Sequence, residues 1–174
     1  MFDFLSGKLI EIERVIASKE AQPRLCLDQE LINEYVQDLV VDGGVENFEP
    51  IIVFTKDEIS FYLADGFHRL EAHKQINSEV INAKIFKGGE REAILYSCGA
   101  NKSHGKRRTK DELENAVLKL LCDEEWSSWS DVKLAQIAKC SSMTIANIAK
   151  RRNITRAGKR LFESNGKRTT MKTD

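Results

Sequence analysis

The sequence predicts an α+β protein, with a mixed α/β first domain followed by an all-α second one. Three observations support this. The β-rich runs Pro50–Phe54, Ile59–Leu63 and Val80–Phe86 lie between segments whose apolar residues recur at helical spacing. From Thr109 to Lys150 the apolar spacing is helical. The sign of the charge also changes along the chain. Residues 1–100 carry ten Lys and Arg against eighteen Asp and Glu, residues 101–149 eight against seven, and residues 150–174 nine against two. An acidic front joined to a basic end suggests modules with different partners, the basic end being the one suited to nucleic acid.

In order, Leu9–Ile12 with Val15 and Ile16 gives a short strand and its exit. Asp28 is a good N-cap for a helix with Leu31, Tyr35, Val36 and Leu39 on one stripe, and Gly43-Gly44 ends it. Pro50–Phe54 and Ile59–Leu63, separated by Lys56-Asp57-Glu58, form a hairpin. A helix over Arg69–Gln75 and a strand over Val80–Phe86 follow, and Gly88-Gly89 breaks that strand. Glu90–His104 is expected as a helix with Gly105 as its C-cap.

At Lys102–Arg108 the character of the chain changes. Thr109-Lys110-Asp111-Glu112 is a capping box, since Thr109 and Glu112 are spaced to satisfy one orphan N–H each. The helix it opens has Leu113, Ala116, Val117, Leu120 and Leu121 on one face. Trp126 and Trp129 lie outside any basic or alternating context, which assigns them to packing rather than to base stacking. Leu134, Ala135 and Ala138 fit one short helix, and Ile145 and Ile148 anchor another that Ser141 or Ser142 caps. That is the apolar spacing of a helix-turn-helix, with Lys139 where the turn usually takes Gly. Two packed helices of a structural bundle would share the spacing, but the basic Lys150-Arg151-Arg152 that follows favours DNA. Ser142, Met143, Thr144, Asn147 and Lys150 then lie at or near the groove, and Asn147 is suited to a bidentate contact with adenine. Arg107, Arg108, Arg151 and Arg152 are the expected phosphate contacts. Arg156–Arg160 is expected as one more helical segment, and residues 163–174 as a flexible basic tail. The expected domains are residues 1–105, 106–162 and that tail.

The chemically distinctive stretch is Asp65-Gly66-Phe67-His68-Arg69. A strand that ends in Asp-Gly and turns straight into a helix presents the first helical N–H groups to an anion, with Arg69 and His68 adding charge. A plain Asp-Gly turn followed by a solvated arginine fits the same residues. Other chemistries find less support. Cys26, Cys98, Cys122 and Cys140 show no C-x-x-C spacing, and His68, His73 and His104 form no ligand pair, so no protein-held metal is expected. The absence of an eighteen-residue apolar run or a basic leader points to a cytoplasmic protein with no membrane partner.

Taken together, Pro50–Val53, Ala64–Ala72, Gly99–Asn101 through Arg108-Thr109, and Ser130–Lys150 resemble the ParB-type partition proteins, in particular compact ParB-like members. The resemblance spans roughly residues 8–152. It implies a ParB/sulfiredoxin-like first domain, a helix-turn-helix second domain, double-stranded DNA as partner, and a nucleoid-associated protein. It also implies a cytidine triphosphate seat. Family members use Gly-x-Arg-Arg and Glu-Asn-x-x-Arg motifs. Gly66 and Arg69 match the first with His68 in place of its first arginine; Asn101 matches the second with Ala100 for Glu and His104 for Arg. Asp65, Gly66, Phe67, His68, Arg69, Asn101 and His104 are thus the expected nucleotide residues, with Asn101 near a nucleotide-bound Mg²⁺. Histidine for arginine lowers phosphate affinity at neutral pH, where imidazole is mostly uncharged. The implied activity is DNA binding, partition-like or transcriptional, gated by CTP or another nucleotide, with slow nucleotide hydrolysis at most and homodimerisation through the first domain. Sulfiredoxin chemistry is excluded, because Phe67 stands where that enzyme has its cysteine. The enzymatic alternative is a small-molecule phosphotransferase with Asp65 or Glu71 as base.

Overall fold

The computed structural model describes residues 2–23, 26–41, 49–100 and 108–155, and the backbone of 159–164 and 167–172. It divides into two compact units, Met1–Ser97 and Cys98–Asp174.

The first unit is built on a five-stranded sheet of order β1-β5-β3-β4-β2. Its strands are β1 (Phe4–Glu11), β2 (Val15–Ile16), β3 (Ile51–Thr55), β4 (Phe61–Asp65) and β5 (Val80–Lys87). β3 pairs with β4 antiparallel and with β5 parallel, β1 with β5 antiparallel, and β2 with β4 parallel. Side chains alternate across a strand, and the sequence uses both faces. Ile51, Val53, Phe61, Leu63, Ile81, Ala83 and Ile85 form one core together with Phe67 and Leu70. Those last two belong to α2 (Phe67–Gln75). Phe54, Ala64, Phe86 and Tyr62 point into a second cluster, with Ala93 and Tyr96 of α3 (Glu90–Ser97). Each Val, Leu, Ile or Phe side chain among them contributes roughly 1.5–3 kcal/mol when fully buried. The Ile32, Tyr35, Val36 and Leu39 stripe of α1 (Gln29–Val41) packs on Ala72 and Ile76 at the end of α2.

The expected hairpin is present, but β4 begins two residues later than the β-rich run suggests. The Asp57 carboxylate accepts from the N–H groups of Ile59 and Ser60 at 2.9 Å each, and Glu58 sits at φ 57°. These groups are therefore unavailable to the ladder, and Ile59 is exposed. β1 is longer than the expected Leu9–Ile12 strand because it pairs along the whole of β5. α3 is shorter than expected and ends at Ser97, whose Oγ donates to the Ile94 carbonyl at 2.8 Å. Gly105 lies outside the described residues.

The second unit contains α4 (Lys110–Cys122), α5 (Asp131–Ala138) and α6 (Ser142–Arg151). The capping box of α4 forms as expected: Thr109 Oγ1 accepts from the Glu112 N–H at 3.2 Å, and Glu112 Oε2 accepts from the Thr109 N–H at 2.8 Å. Ser130 caps α5 and Ser141 caps α6. Lys139, between them, takes the left-handed conformation at φ 50°, as the turn requires. Trp126 is buried, and the Lys133 ammonium lies 3.7 Å from the centroid of the Trp129 ring. Leu120, Leu134, Ala138 and Ile145 are fully buried. Gly99 lies so near the end of α5 that an added Cβ would be 2.2 Å from the Ile137 carbonyl oxygen.

The second unit is not all-α. In place of the expected helical segment and frayed tail there is an antiparallel ribbon, β6 (Lys159–Ser164) and β7 (Lys167–Lys172). Cross-strand pairing accounts for both differences, since a β-ladder satisfies backbone groups that neither a tail nor a single helical turn would.

His73 of α2 is 1% exposed, and burial pushes its imidazole down to about 4. The unfolded chain takes up this proton near pH 6.5, whereas the folded chain resists it until about pH 4. The stability contribution of the neutral side chain is thus complete above pH 6.5 and is lost as pH falls towards 4, by roughly 3 kcal/mol. Urea denaturation between pH 7 and 4 should show that loss in the wild type and a clearly shallower one in His73→Leu.

Candidate nucleotide and nucleic-acid sites

The Asp65–Arg69 stretch forms the junction between β4 and α2. Gly66 is the N-cap at φ 99° and supplies no side-chain cap, so the first N–H groups of α2 lack an intrahelical acceptor. The Asp65 carboxylate accepts from the Gly66 N–H at 2.8 Å. A Cβ at Gly66 would meet Ile51 Cγ2 at 2.6 Å, so both conformation and packing require glycine there. Phe67 is buried in the main core.

The two basic residues of the stretch are bonded within the protein. Arg69 is 8% exposed. Its Nη1 donates to the Glu49 and Pro50 carbonyls at 3.1 and 2.9 Å, and pairs with Glu49 Oε2 at 2.9 Å. Its Nη2 lies 3.7 Å from Asp65 Oδ2. His68 Nε2 accepts from the Asp28 N–H at 3.0 Å, which requires an unprotonated Nε2. Asp28 Oδ1 in turn accepts from the Glu30 N–H at 3.2 Å, capping α1.

Two tyrosines that the sequence reading did not place at this site surround the pair. Burial chiefly raises the Tyr35 phenol, with Arg69, Glu49 and Asp65 also acting on it. Burial likewise raises Tyr96, which lies in the field of Asp65 and Arg69. In the sequence, Tyr35 belongs to an amphipathic stripe and carries no other signal. Asn101, His104 and Arg107 lie outside the described residues. Among the described residues no group of three or more His, Cys, Asp or Glu is arranged to hold a metal, and no helix is long and apolar enough to cross a membrane.

In the second unit Met143, Ala146, Asn147 and Lys150 are exposed and recur at one helical face of α6, while Ile145 and Ile148 are buried on the other. Ser142 is exposed at its start. Thr144 is half-buried and its Oγ1 is 2.9 Å from Ser141 Oγ. The expected phosphate contacts are arranged differently. Arg108 donates to the Cys98 and Ala138 carbonyls, each at 2.6 Å, and so holds the end of α5. Arg152 Nε donates to Glu114 Oε1 at 2.6 Å, and Arg151 donates to Glu114 Oε2. Glu114, on α4, has a side chain only 13% exposed. Hydrogen bonding from Arg152, followed by the charge of Arg151, holds its carboxyl below the usual carboxylate range.

Residues 6–102 match the family model of the ParB N-terminal domain. A possible regulatory protein of the streptomycin biosynthesis operon of Streptomyces griseus is 32% identical over 115 residues, covering 66% of this chain and 31% of that protein. The transcriptional regulator NovG of Streptomyces niveus is 25% identical over 129 residues, covering 74% of this chain and 39% of that protein. The chain thus spans less than half the length of either relative. Among solved structures, the C-terminally truncated chromosome-partitioning protein ParB of Caulobacter crescentus, complexed to its centromeric parS site, aligns with a TM-score of 0.55 at 14% identity. That alignment covers 81% of this chain and 69% of the other.

Arg69→Ala should lower stability by about 3 kcal/mol in urea denaturation without any ligand, since it strips charge-assisted bonds from two carbonyls and removes the cation facing Asp65.

Proposed function

The chain belongs to the ParB family through its N-terminal domain, and from that premise we propose that it is a DNA-binding protein, partition-like or a transcriptional regulator, whose reading element is α6. α5 and α6 are then a helix-turn-helix. The observation that carries this is the exposed stripe Met143, Asn147 and Lys150 on a helix whose opposite face is anchored by Ile145 and Ile148. A side chain of each kind needed is present. Asn147 reads adenine, Met143 and Ser142 sit at the helix start where base edges are nearest, and Lys150 meets a phosphate.

The same proposal gives the first unit a nucleotide, CTP by family resemblance, which gates DNA binding. Its phosphates take the first N–H groups of α2 at Phe67 and His68, and its charge replaces the Glu49 carboxylate at Arg69. Glu49 has a side chain 57% exposed and is free to leave into solvent. Asn101 and His104, which lie outside the described residues, are by family resemblance the remaining nucleotide positions, Asn101 with the nucleotide's Mg²⁺. The phosphotransferase alternative gains less support, because both oxygens of Asp65 already face protein donors, Gly66 N–H and Arg69.

Mobility shifts of the full chain on a pool of double-stranded fragments should show retention that weakens steeply with salt. Asn147→Ala should cost about 1–3 kcal/mol on the selected site and little on random DNA. Uniform weakening on both, or none, would remove α6 as the reading element. Calorimetry with CTP, ATP and Mg²⁺ tests the gate separately, and no heat with any nucleotide would remove it while leaving DNA binding in place.

A further inference from the structure

The second unit contains two cationic elements, the end of α6 and the β6–β7 ribbon. At the end of α6, Arg151 and Arg152 converge on the single carboxylate of Glu114, which α4 holds nearly out of solvent. The charge of both guanidinium groups is thereby partly answered by this carboxylate, and a donor of each is committed to holding α6 against α4.

The other element is the β6–β7 ribbon. Its twelve paired positions carry Lys159, Arg160, Lys167, Arg168 and Lys172 against one acid, Glu163. The register sets Glu163 opposite Arg168 but Lys159 opposite Lys172. Like charges directly across a ladder weaken it, and a two-stranded ribbon is marginal by itself. The charge excess therefore works against the stability of the ribbon, which suits an element that meets a polyanion. A two-stranded ribbon also fits the major groove of DNA and follows a phosphate backbone.

We propose that the phosphate anchor of this protein is the β6–β7 ribbon, and that Arg151 and Arg152, clamped by Glu114, position α6 instead of contacting DNA. This rests on the DNA-binding reading and divides its labour: α6 reads bases and the ribbon supplies the sequence-independent attraction.

The test measures the salt dependence of DNA binding by the full chain, where each phosphate contact contributes about 0.9 to the slope of log K against log salt. Lys159→Gln, Arg160→Gln, Lys167→Gln and Arg168→Gln together should reduce that slope by about two or more. Arg151→Gln with Arg152→Gln should leave the slope at the wild-type value while lowering the melting temperature. A charge-preserving ribbon (Lys159→Arg, Arg160→Lys, Lys167→Arg, Arg168→Lys) should keep the wild-type slope, which separates lost charge from a damaged fold. An unchanged slope in the ribbon variant, or a loss of slope in the helix-end variant, overturns the proposal while wild-type binding preserves the DNA reading. Absence of wild-type binding at every salt concentration overturns both.

Discussion

The first unit depends on one close approach, the backbone of Gly66 against the side chain of Ile51. At that point β4 turns into α2 with no room for a Cβ, and the left-handed conformation removes any alternative residue. The contact fixes where α2 begins, and three further interactions follow from its start. Phe67 and Leu70 enter the core over β3 and β5, and Arg69 reaches back to the carbonyls of Glu49 and Pro50 just before β3. His68 receives the N–H of Asp28 and so pins the beginning of α1. Consecutive positions of one helical turn thus tie down the core, the entry to β3 and the cap of α1. The stretch that most resembles a ligand seat is also the stretch that the domain cannot lose, and a phenotype at Gly66 or Arg69 has to be separated from unfolding before it is credited to a ligand.

Local patterns in the sequence were legible where local physics decides the outcome. The capping box at Thr109 and Glu112, the Ser141 cap, the Asp28 cap and the positive φ at Lys139 all follow from short-range spacing, and all are present. Runs rich in β-branched and aromatic residues placed β3, β4 and β5 for the same reason. Tertiary pairing was less legible. β1 extends to Phe4 because β5 offers a partner, which nothing in Phe4–Lys8 announces. The ribbon did carry a signal, Asn165-Gly166 between β-compatible runs, the best short hairpin marker. Its high Lys and Arg content made it resemble a solvated tail. Residue identity placed Asp65 to Arg69 at a strand-to-helix turn, which the structure has, but their partners lie on other elements. Glu49, Asp28, Tyr35 and Tyr96 became visible only once α1, β3 and α3 were in place.

One lesson about charge holds in both units. Arginine is the residue best able to satisfy several carbonyl or carboxylate oxygens at once, because its donors are fixed in a planar fork and its charge does not titrate. A fold short of donors for helix-end and loop carbonyls therefore recruits arginine first. Arg69 holds Glu49 and Pro50, Arg108 holds Cys98 and Ala138, and Arg151 and Arg152 share Glu114. Counting Arg69 and Arg108 as cationic surface overstates what a polyanion would meet. Lysine, a compact charge on a flexible stem, is less suited to such fixed roles and more often keeps its charge in solvent.

On the proposed division of labour, the net charge of the region 150–174 gives the right sign and the wrong address. Of its nine cations, Arg151 and Arg152 share Glu114, and five others fall on a ribbon with a single acid. Electrostatic attraction to DNA depends on how many phosphates are neutralised, whichever element supplies the cations. Base reading depends on a helix held at one angle. Clamping Arg151 and Arg152 to α4 stiffens the end of α6 at no cost to the total charge, provided the phosphate contacts are made elsewhere. Both requirements are met by placing rigidity at the helix end and attraction on the ribbon, an arrangement that a sum of charges along the sequence cannot distinguish from its opposite.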